Sequence, residues 1–239
     1  DVLWFGQGHT RDSEVHADHI AADAADHAEF TMTDAHGEQV AVHLGIPGRH
    51  NVMNALAAAT VALRYGMPLT AIAQTLAAQH TISPHRMALS TVSRQGASFE
   101  LIDDSFNANP DSMKAGLDGL RAWNANDGRQ PFRVALLGAM LELGADEREL
   151  HASVGEYAAG LGLDAIITVG SPSDAHLNVL AESLAEGATR GRAASVDCVQ
   201  TIDEAERIVL DLAKNHTDTV VLLKGSHASG LSALAERWA

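Results

Sequence analysis

The sequence has little of what marks a secreted, membrane-bound or nucleic-acid-binding protein. Its 239 residues include one cysteine, Cys198, which excludes an internal disulfide framework and any multi-cysteine metal site and fits a reducing, cytoplasmic compartment. Cys198 falls in a predicted strand, where we expect it to be buried in the core. No apolar run approaches the roughly 18 residues that are needed to span a bilayer, so no membrane partner is expected.

Positive charge is also scarce. Sixteen Lys and Arg residues stand against 31 Asp and Glu, and the formal charge of −15 argues against a nucleic-acid surface. An anionic ligand would therefore have to be held by helix N-termini, backbone N–H groups and a few placed cations. The 13 histidines raise the question of a metal, but His16 and His19 are only an i, i+3 pair without further ligands. We predict no metal site.

The first 82 residues are expected to form one domain. A short apolar strand is predicted at residues 2–6, and alternating segments at 27–33 and 39–44 flank a turn, as in a β-hairpin. Helices are predicted at 51–65 and 69–79. The polar, proline-containing stretch 80–87 is aperiodic, so we place a domain boundary between residues 82 and 83.

Strands and helices alternate in the rest of the chain. Most of the later strands are continuous apolar runs, which is typical of a parallel sheet covered on both faces. The sequence therefore predicts an α/β fold, a Rossmann-like αβα domain with a mostly parallel sheet, over residues 83–239. The predicted strands are 88–93, 98–102, 133–137, 165–169, 195–199 and 219–223, and the predicted helices are 110–123, 146–161, 175–186, 203–214 and 231–238.

The segment 102–112 is the strongest candidate for a ligand site. Asp103 and Asp104 follow an apolar strand, and Asn107 and Asn109 lie between them and the next helix. Ligands bind at the carboxyl ends of strands in open α/β sheets. A simpler interpretation is a capped helix after a polar loop, which accounts for Asn109 as an N-cap but not for two neighbouring acids. Asp104 is expected to be solvent-facing.

Two further groups of polar residues lie at positions where a ligand could bind. His50, Asn51 and Asn54 lie at a predicted helix start, where Asn51 could serve as the N-cap but the other two would have no structural role. Lys224 and Ser226 follow another buried strand. A lysine at this position is either exposed to solvent at the end of the strand or binds an anion.

Four motifs together resemble one family. They are GRHNVMNALAA at 48–58, IDDSFNANPDSM at 102–113, VALLGAMLELG at 134–144 and LLKGS at 222–226. They resemble signatures of the Mur ligases, and within that family those of the branch that adds D-alanyl-D-alanine to UDP-N-acetylmuramoyl-tripeptide. Three positions depart from the family pattern: Phe106 replaces Tyr, Ala139 replaces Asp and His227 replaces Arg. Imidazole cannot reproduce the fork of a guanidinium group.

The resemblance implies an ATP-dependent amide ligase that works through an acyl phosphate, with ATP and Mg²⁺ as cofactors. The two substrates would be the small molecules UDP-N-acetylmuramoyl-tripeptide and D-alanyl-D-alanine, and the protein would be a cytoplasmic monomer. The implied roles are catalysis by Asp104 and Lys224; nucleotide binding by His50, Asn51, Asn54, Arg86 and Asp104; and substrate binding by Asn107, Asn109 and Ser226.

A phosphate-binding lysine is missing from the sequence. None of the three lysines, Lys114, Lys214 and Lys224, belongs to a G-x-x-x-x-G-K-[ST] motif. Mur ligases carry a P-loop lysine and a metal-bridging lysine earlier in their central domain. The resemblance therefore implies a fragment, with 1–82 as the end of the central ATPase domain and 83–239 as the C-terminal domain, inactive by itself. The alternatives are another Mur-type or folylpolyglutamate-type ligase and a non-catalytic nucleotide-binding module.

Overall fold

The protein is represented by a computed structural model that describes residues 2–8, 13–80, 84–124 and 130–239. It divides into two compact units, an amino-terminal unit Asp1–Ile82 and a carboxyl-terminal unit Ser83–Ala239. No helix in the described ranges combines the length and the apolar character that crossing a bilayer requires.

The amino-terminal unit is a four-stranded sheet with two helices. The predicted hairpin is confirmed, because the third and fourth strands pair antiparallel. The first strand runs parallel to the second, and the second runs antiparallel to the third. One core joins the sheet to both helices. In chain order the elements are β1 (Trp4–Gln7), β2 (Ser13–Ala22), β3 (His27–Asp34), β4 (Gln39–Pro47), α1 (Asn51–Arg64) and α2 (Leu69–Ala78).

Strand β2 is absent from the sequence-based prediction. Val15 and Ala17 are buried on one face of the strand, but the alternation then fails because its register against β3 shifts between Asp18 and Ala21. His19 has a φ of 55° within this irregularity. A bulge of this kind interrupts the period of two that identifies a strand. The spacing of His16 and His19 is therefore that of a bulged strand.

The carboxyl-terminal unit is a six-stranded sheet covered by helices, so the predicted α/β class with a mostly parallel sheet is confirmed. Two apolar clusters contain alternate residues of the sheet strands. The elements are β5 (Ala88–Arg94), β6 (Ala97–Asp104), α3 (Pro110–Ala122), β7 (Phe132–Leu137), α4 (Glu147–Gly160), β8 (Ala165–Val169), α5 (Ala175–Arg190), β9 (Val196–Val199), α6 (Ile202–Asn215), β10 (Thr219–Lys224) and α7 (Leu231–Trp238).

The last strand in sequence lies inside this sheet. The strand order is β5-β6-β10-β7-β8-β9, and only the β5–β6 pair is antiparallel. Every residue of β10 is buried. The carboxyl ends of β6, β10 and β7 therefore lie side by side at one edge of the sheet, which is where an open α/β sheet binds ligands.

The prediction that Cys198 is buried is wrong. Cys198 is exposed, although it does lie in a strand. The reason is position: β9 is an edge strand, and its residues are only partly covered. A strand at the edge of a sheet has a neighbour on one side only.

Helices α4 and α5 pack with their backbones almost touching. A Cβ atom added at Gly187 would lie 1.9 Å from the carbonyl oxygen of Ala152, and one added at Gly155 would lie 2.0 Å from that of Leu184. Backbone atoms cannot move aside as a flexible side chain can. The two glycines therefore permit this close helix pair.

We expect Gly187→Ala to lower the free energy of unfolding by about 1–3 kcal/mol, because the steric cost exceeds the helix-propensity gain of about 1 kcal/mol. The measurement is equilibrium urea denaturation. Gly160→Ala is the control, since a Cβ at Gly160 would meet nothing within 4 Å. Equal stability of the two variants would contradict the close packing.

Candidate functional site

An ion pair joins the ends of two neighbouring strands. Lys224 and Asp104 are register partners in β10 and β6, and the Lys224 Nζ lies 2.7 Å from Asp104 Oδ2. The Lys224 side chain is 2% exposed and the Asp104 side chain is 14% exposed. The expectation of a solvent-facing Asp104 is therefore wrong. Lys224 is not a solvated strand end either, because the sheet and helix α3 enclose it.

The ammonium group of Lys224 has two further acceptors. It donates to the carbonyl oxygen of Asn107 over 2.7 Å and to that of Asp104 over 3.4 Å. An ammonium group has three hydrogens, so the carboxylate and the two carbonyls can use all of them. Lys224 thus fixes the loop between β6 and α3.

The adjacent Asp103 has a separate set of partners. Its Oδ2 lies 2.7 Å from His85 Nδ1, and its Oδ1 accepts hydrogen bonds from the Ser105 hydroxyl over 2.6 Å and the Ser105 amide over 3.2 Å. Asp103 is buried, as its place in β6 dictates. The two acids that the sequence places together therefore do different work, one anchoring the His85 segment and the other the Lys224 ammonium.

An exposed aromatic–cation pair joins this loop to the segment before β5. The guanidinium carbon of Arg86 is 4.4 Å from the ring centroid of Phe106. The backbone of Phe106 is fixed by a hydrogen bond from its amide to the His85 carbonyl over 3.1 Å. Phe106 is 43% exposed although it is a large apolar residue. Stacking of this kind presents a flat, positively charged surface to solvent.

The two asparagines of the loop differ in their surroundings. Asn109 caps α3: its Oδ1 accepts from the Ser112 amide over 2.8 Å, and the Ser112 hydroxyl accepts from the Asn109 amide over 3.0 Å. This capping box confirms the simpler interpretation for Asn109. Asn107 is exposed, and its Oδ1 accepts from the Ala108 amide over 2.9 Å.

Ser226 lies where the ends of β10 and β7 come close together. Its amide donates to the Ala139 carbonyl over 2.8 Å. The residue is 5% exposed, and its hydroxyl has no hydrogen-bond partner among the described residues. A Cβ atom at Gly225 would lie 2.9 Å from the Gly138 Cα, so glycine is required for this approach. Ser226 is therefore buried at the carboxyl ends of these strands.

A buried histidine supports the loop after β7. His151 is fully buried; its Nε2 accepts from the Met140 amide over 2.8 Å, and its Nδ1 donates to the Glu147 carbonyl over 2.6 Å. These partners require the neutral imidazole with its proton on Nδ1. Burial lowers the pKa of His151 below its ordinary value of 6.5.

This histidine should make the protein less stable in acid. Because the folded-state pKa lies below the unfolded value, the unfolded chain binds the proton first as pH falls. The contribution is therefore fully present above about pH 6.5 and is lost below it, by up to about 1.4 kcal/mol per pH unit until the folded-state pKa is reached. Urea denaturation at pH 7.5 and 5.5 would measure this loss. A His151→Gln variant with the same pH dependence would contradict it.

The start of α1 differs from its prediction. The N-cap is His50 and makes no side-chain capping bond, so the assignment of Asn51 as the cap is wrong. Asn51 is buried; its Nδ2 donates to the Pro47 carbonyl over 2.8 Å, and its Oδ1 accepts from Asn54 Nδ2 over 2.9 Å. Asn51 is the first residue of the helix, and the Pro47 carbonyl at the end of β4 and Asn54 engage its side chain instead of a capping bond. His50 and Asn54 are exposed.

The family profile described as "Mur ligase, glutamate ligase domain" matches residues 85–227, which include the loop, both acids and the ion pair. The chain belongs to the Mur ligase family. The match begins at His85 and ends at His227, so the Mur ligase domain coincides with most of the carboxyl-terminal unit.

Similar proteins extend the match over both units. The UDP-N-acetylmuramoyl-tripeptide--D-alanyl-D-alanine ligase of Mycobacterium tuberculosis is 38% identical over 229 residues, which are 93% of this chain and 44% of that protein. A crystal structure of MurF from Acinetobacter baumannii matches 97% of this chain and 46% of its own, with 28% identity and a TM-score of 0.76. The fold is shared by the Thermotoga maritima MurF ligase solved with ADP, at 21% identity and a TM-score of 0.69.

The chain therefore spans less than half the length of these Mur ligases. Within it, the structure gathers Asp104, Lys224, Asn107 and Arg86 around one loop of the carboxyl-terminal unit. The remaining predicted site residues of that unit are the capping Asn109 and the buried Ser226. The pair missed by sequence reasoning is Arg86 with Phe106. An aromatic residue beside two acids in a polar loop was the available signal.

Proposed function

We propose that this chain is part of an ATP-dependent amide ligase that adds D-alanyl-D-alanine to UDP-N-acetylmuramoyl-tripeptide. The observation that carries the proposal is the 38% identity to the Mycobacterium tuberculosis ligase of that name, over 93% of this chain. The proposed substrates are small and the proposed reaction consumes ATP, so the protein would act in the cytoplasm, and we propose that it acts as a monomer.

In the proposed reaction the terminal carboxylate of the tripeptide receives the γ-phosphoryl group of ATP. The amine of D-alanyl-D-alanine then attacks the acyl carbon, phosphate leaves and an amide bond forms. Phosphoryl transfer needs little covalent chemistry from the protein beyond positioning and stabilisation of charge. The residues of this chain are accordingly proposed to hold substrates and to keep their own loop in place.

We assign the positioning role to the Lys224–Asp104 pair and nucleotide contact to Arg86 with Phe106. The ion pair and the Lys224 bond to the Asn107 carbonyl hold the loop from which Phe106 projects. His50, Asn51 and Asn54 of the amino-terminal unit are also proposed to contact the nucleotide. Asn107, Asn109 and Ser226 are proposed for the peptide side. The first two are exposed, and the hydroxyl of Ser226 has no hydrogen-bond partner in the part of the chain that the structure describes.

The acidic residues at the start of the loop between β6 and α3 do not fit Mg²⁺ among the described residues. Mg²⁺ takes carboxylate, phosphate and water oxygens in an octahedron. The carboxylate of Asp104 is engaged by Lys224, and both oxygens of Asp103 are engaged by His85 and Ser105. Mg²⁺ in the proposed reaction would need other ligands.

A chimera tests the proposal. Residues 1–239 would replace the matching part of the Mycobacterium tuberculosis ligase. Phosphate release and product mass would be measured with the tripeptide substrate, ATP and, as acceptor, either D-alanyl-D-alanine or glutamate. We expect product of the mass of the pentapeptide. Glutamate as the preferred acceptor would favour a folylpolyglutamate-type ligase, and nucleotide binding without product from either acceptor would favour a non-catalytic module.

The Arg86 assignment has its own test in the same chimera. Arg86→Ala removes a side chain that is exposed, so the fold should be kept. We expect KM for ATP to rise while KM for D-alanyl-D-alanine stays unchanged. Arg148→Ala, which changes another exposed arginine, is the control. An unchanged KM for ATP would remove Arg86 from the nucleotide site without affecting the ligase proposal.

A further inference from the structure

Three side chains from two neighbouring segments of chain converge on the sheet of the amino-terminal unit. Asp23 lies in the turn after β2, His27 begins β3, and His43 is on β4. Asp23 Oδ2 is 3.1 Å from His27 Nδ1 and 3.6 Å from His43 Nε2. All three ligand atoms lie within 4.8 Å of one another. In a tetrahedral site with metal–ligand distances of about 2.0–2.1 Å, ligand atoms are about 3.3 Å apart.

The carboxylate of this group is already oriented. Asp23 Oδ1 accepts hydrogen bonds from the amides of Ala25 and His27, both over 2.9 Å, which leaves Oδ2 to face the two imidazoles. Hydrogen bonding of the non-ligating oxygen is the arrangement that orients metal-binding carboxylates. The His27 and His43 rings are edge to face with centroids 5.8 Å apart. The ring atoms that approach Asp23 are His27 Nδ1 and His43 Nε2.

A fourth ligand is within reach. Glu29 is the register partner of His43 in the β3–β4 ladder, and its Oε1 lies 3.9 Å from His43 Nε2. The Glu29 side chain is 61% exposed and is therefore able to change rotamer. Two imidazoles with one or two carboxylates, and with a position left for water, form a complete first coordination shell for a four-coordinate ion.

We propose that Asp23, His27 and His43, with Glu29, bind a divalent cation of the zinc class. Imidazole nitrogens favour Zn²⁺, Co²⁺ and Ni²⁺, whereas Mg²⁺ prefers an all-oxygen shell. The ion would connect the β2–β3 turn to β4 and so stabilise the amino-terminal unit. This site shares no residue with the proposed ligase site, so failure of either proposal would leave the other unaffected. It departs from the sequence-based prediction that the chain has no metal site.

The test uses the full 239-residue chain after treatment with a chelator. Zn²⁺ is titrated by calorimetry, and Co²⁺ by its visible absorption, which is strong in a tetrahedral site. We expect one site of this geometry, a higher unfolding temperature with Zn²⁺, and no displacement by excess Mg²⁺. His43→Ala should weaken Zn²⁺ binding by at least about tenfold. The His43 side chain is 54% exposed, so this variant should fold.

His176→Ala is the matched control. His176 is 52% exposed and pairs with Glu147 over 3.3 Å, as His43 pairs with a carboxylate. We expect its Zn²⁺ affinity to equal that of the unchanged chain, and Asp23→Asn to show the same loss as His43→Ala. The proposal is overturned if His43→Ala and His176→Ala bind Zn²⁺ equally, or if Co²⁺ gives only the weak absorption of a six-coordinate ion.

Discussion

Asp104→Ala is expected to lower the free energy of unfolding of the carboxyl-terminal unit by about 3–5 kcal/mol, because it leaves the charge of Lys224 buried without its partner. The Lys224 side chain is 2% exposed, so water cannot replace the carboxylate without a change in packing. Two carbonyl contacts remain, and neither carries a compensating charge. Equilibrium denaturation in urea, followed by far-UV circular dichroism, measures the loss.

Two variants control for this result. Asp211→Ala changes an exposed acid on α6 and should shift stability by no more than about 0.5 kcal/mol. The double variant Asp104→Ala/Lys224→Met removes both charges and should regain part of the loss, since an apolar replacement of a buried pair is often tolerated. A single Asp104→Ala variant that is as stable as Asp211→Ala would show that the ammonium group is solvated in the folded protein.

The second large effect concerns activity. The 239-residue chain is expected to release no phosphate above background with the tripeptide substrate, D-alanyl-D-alanine, ATP and Mg²⁺. Transfer of the γ-phosphoryl group requires preorganised positive charge, and loss of one such contact costs about 10²–10³ in rate. The sequence has no glycine-loop lysine, and Lys224 has its own acceptors within the protein. ATP binding should be weak for the same reason.

The chimera described above is the positive control for this assay. It contains the same 239 residues next to the rest of the Mycobacterium tuberculosis ligase, which this chain does not match. We expect turnover in the chimera and none in the chain alone. Comparable turnover by both proteins would refute the prediction, because it would mean that phosphoryl transfer takes place with the groups present in this chain.

Much of the fold of the carboxyl-terminal unit could be predicted from sequence. The strands β7, β8 and β10 are continuous apolar runs, and such runs identify a buried parallel strand regardless of their neighbours. Helix α7 was predicted at residues 231–238 and occurs there. The capping role of Asn109 could also be predicted, because a cap depends only on adjacent residues.

Two of the predictions that failed, a solvent-facing Asp104 and a buried Cys198, depend on which strands are neighbours. The pairing of Asp104 with Lys224 requires β10 to lie beside β6 in one register, and the exposure of Cys198 requires β9 to lie at an edge. Neither fact is encoded in local periodicity. The cluster of Asp23, His27 and His43 likewise forms only because β4 folds back on β3. Chemistry between strands could therefore be seen only in the structure.

The position of β10 has a consequence for synthesis of the chain. A ribosome produces β6, β7, β8 and β9 before β10, yet β10 lies between β6 and β7 in the sheet and pairs with both. Until residue 224 has left the exit tunnel, both of those strands keep an open hydrogen-bonding edge, which is a template for pairing with other chains. Chains that end before Thr219 should therefore aggregate, whereas a chain that ends at Trp238 keeps every strand of the sheet.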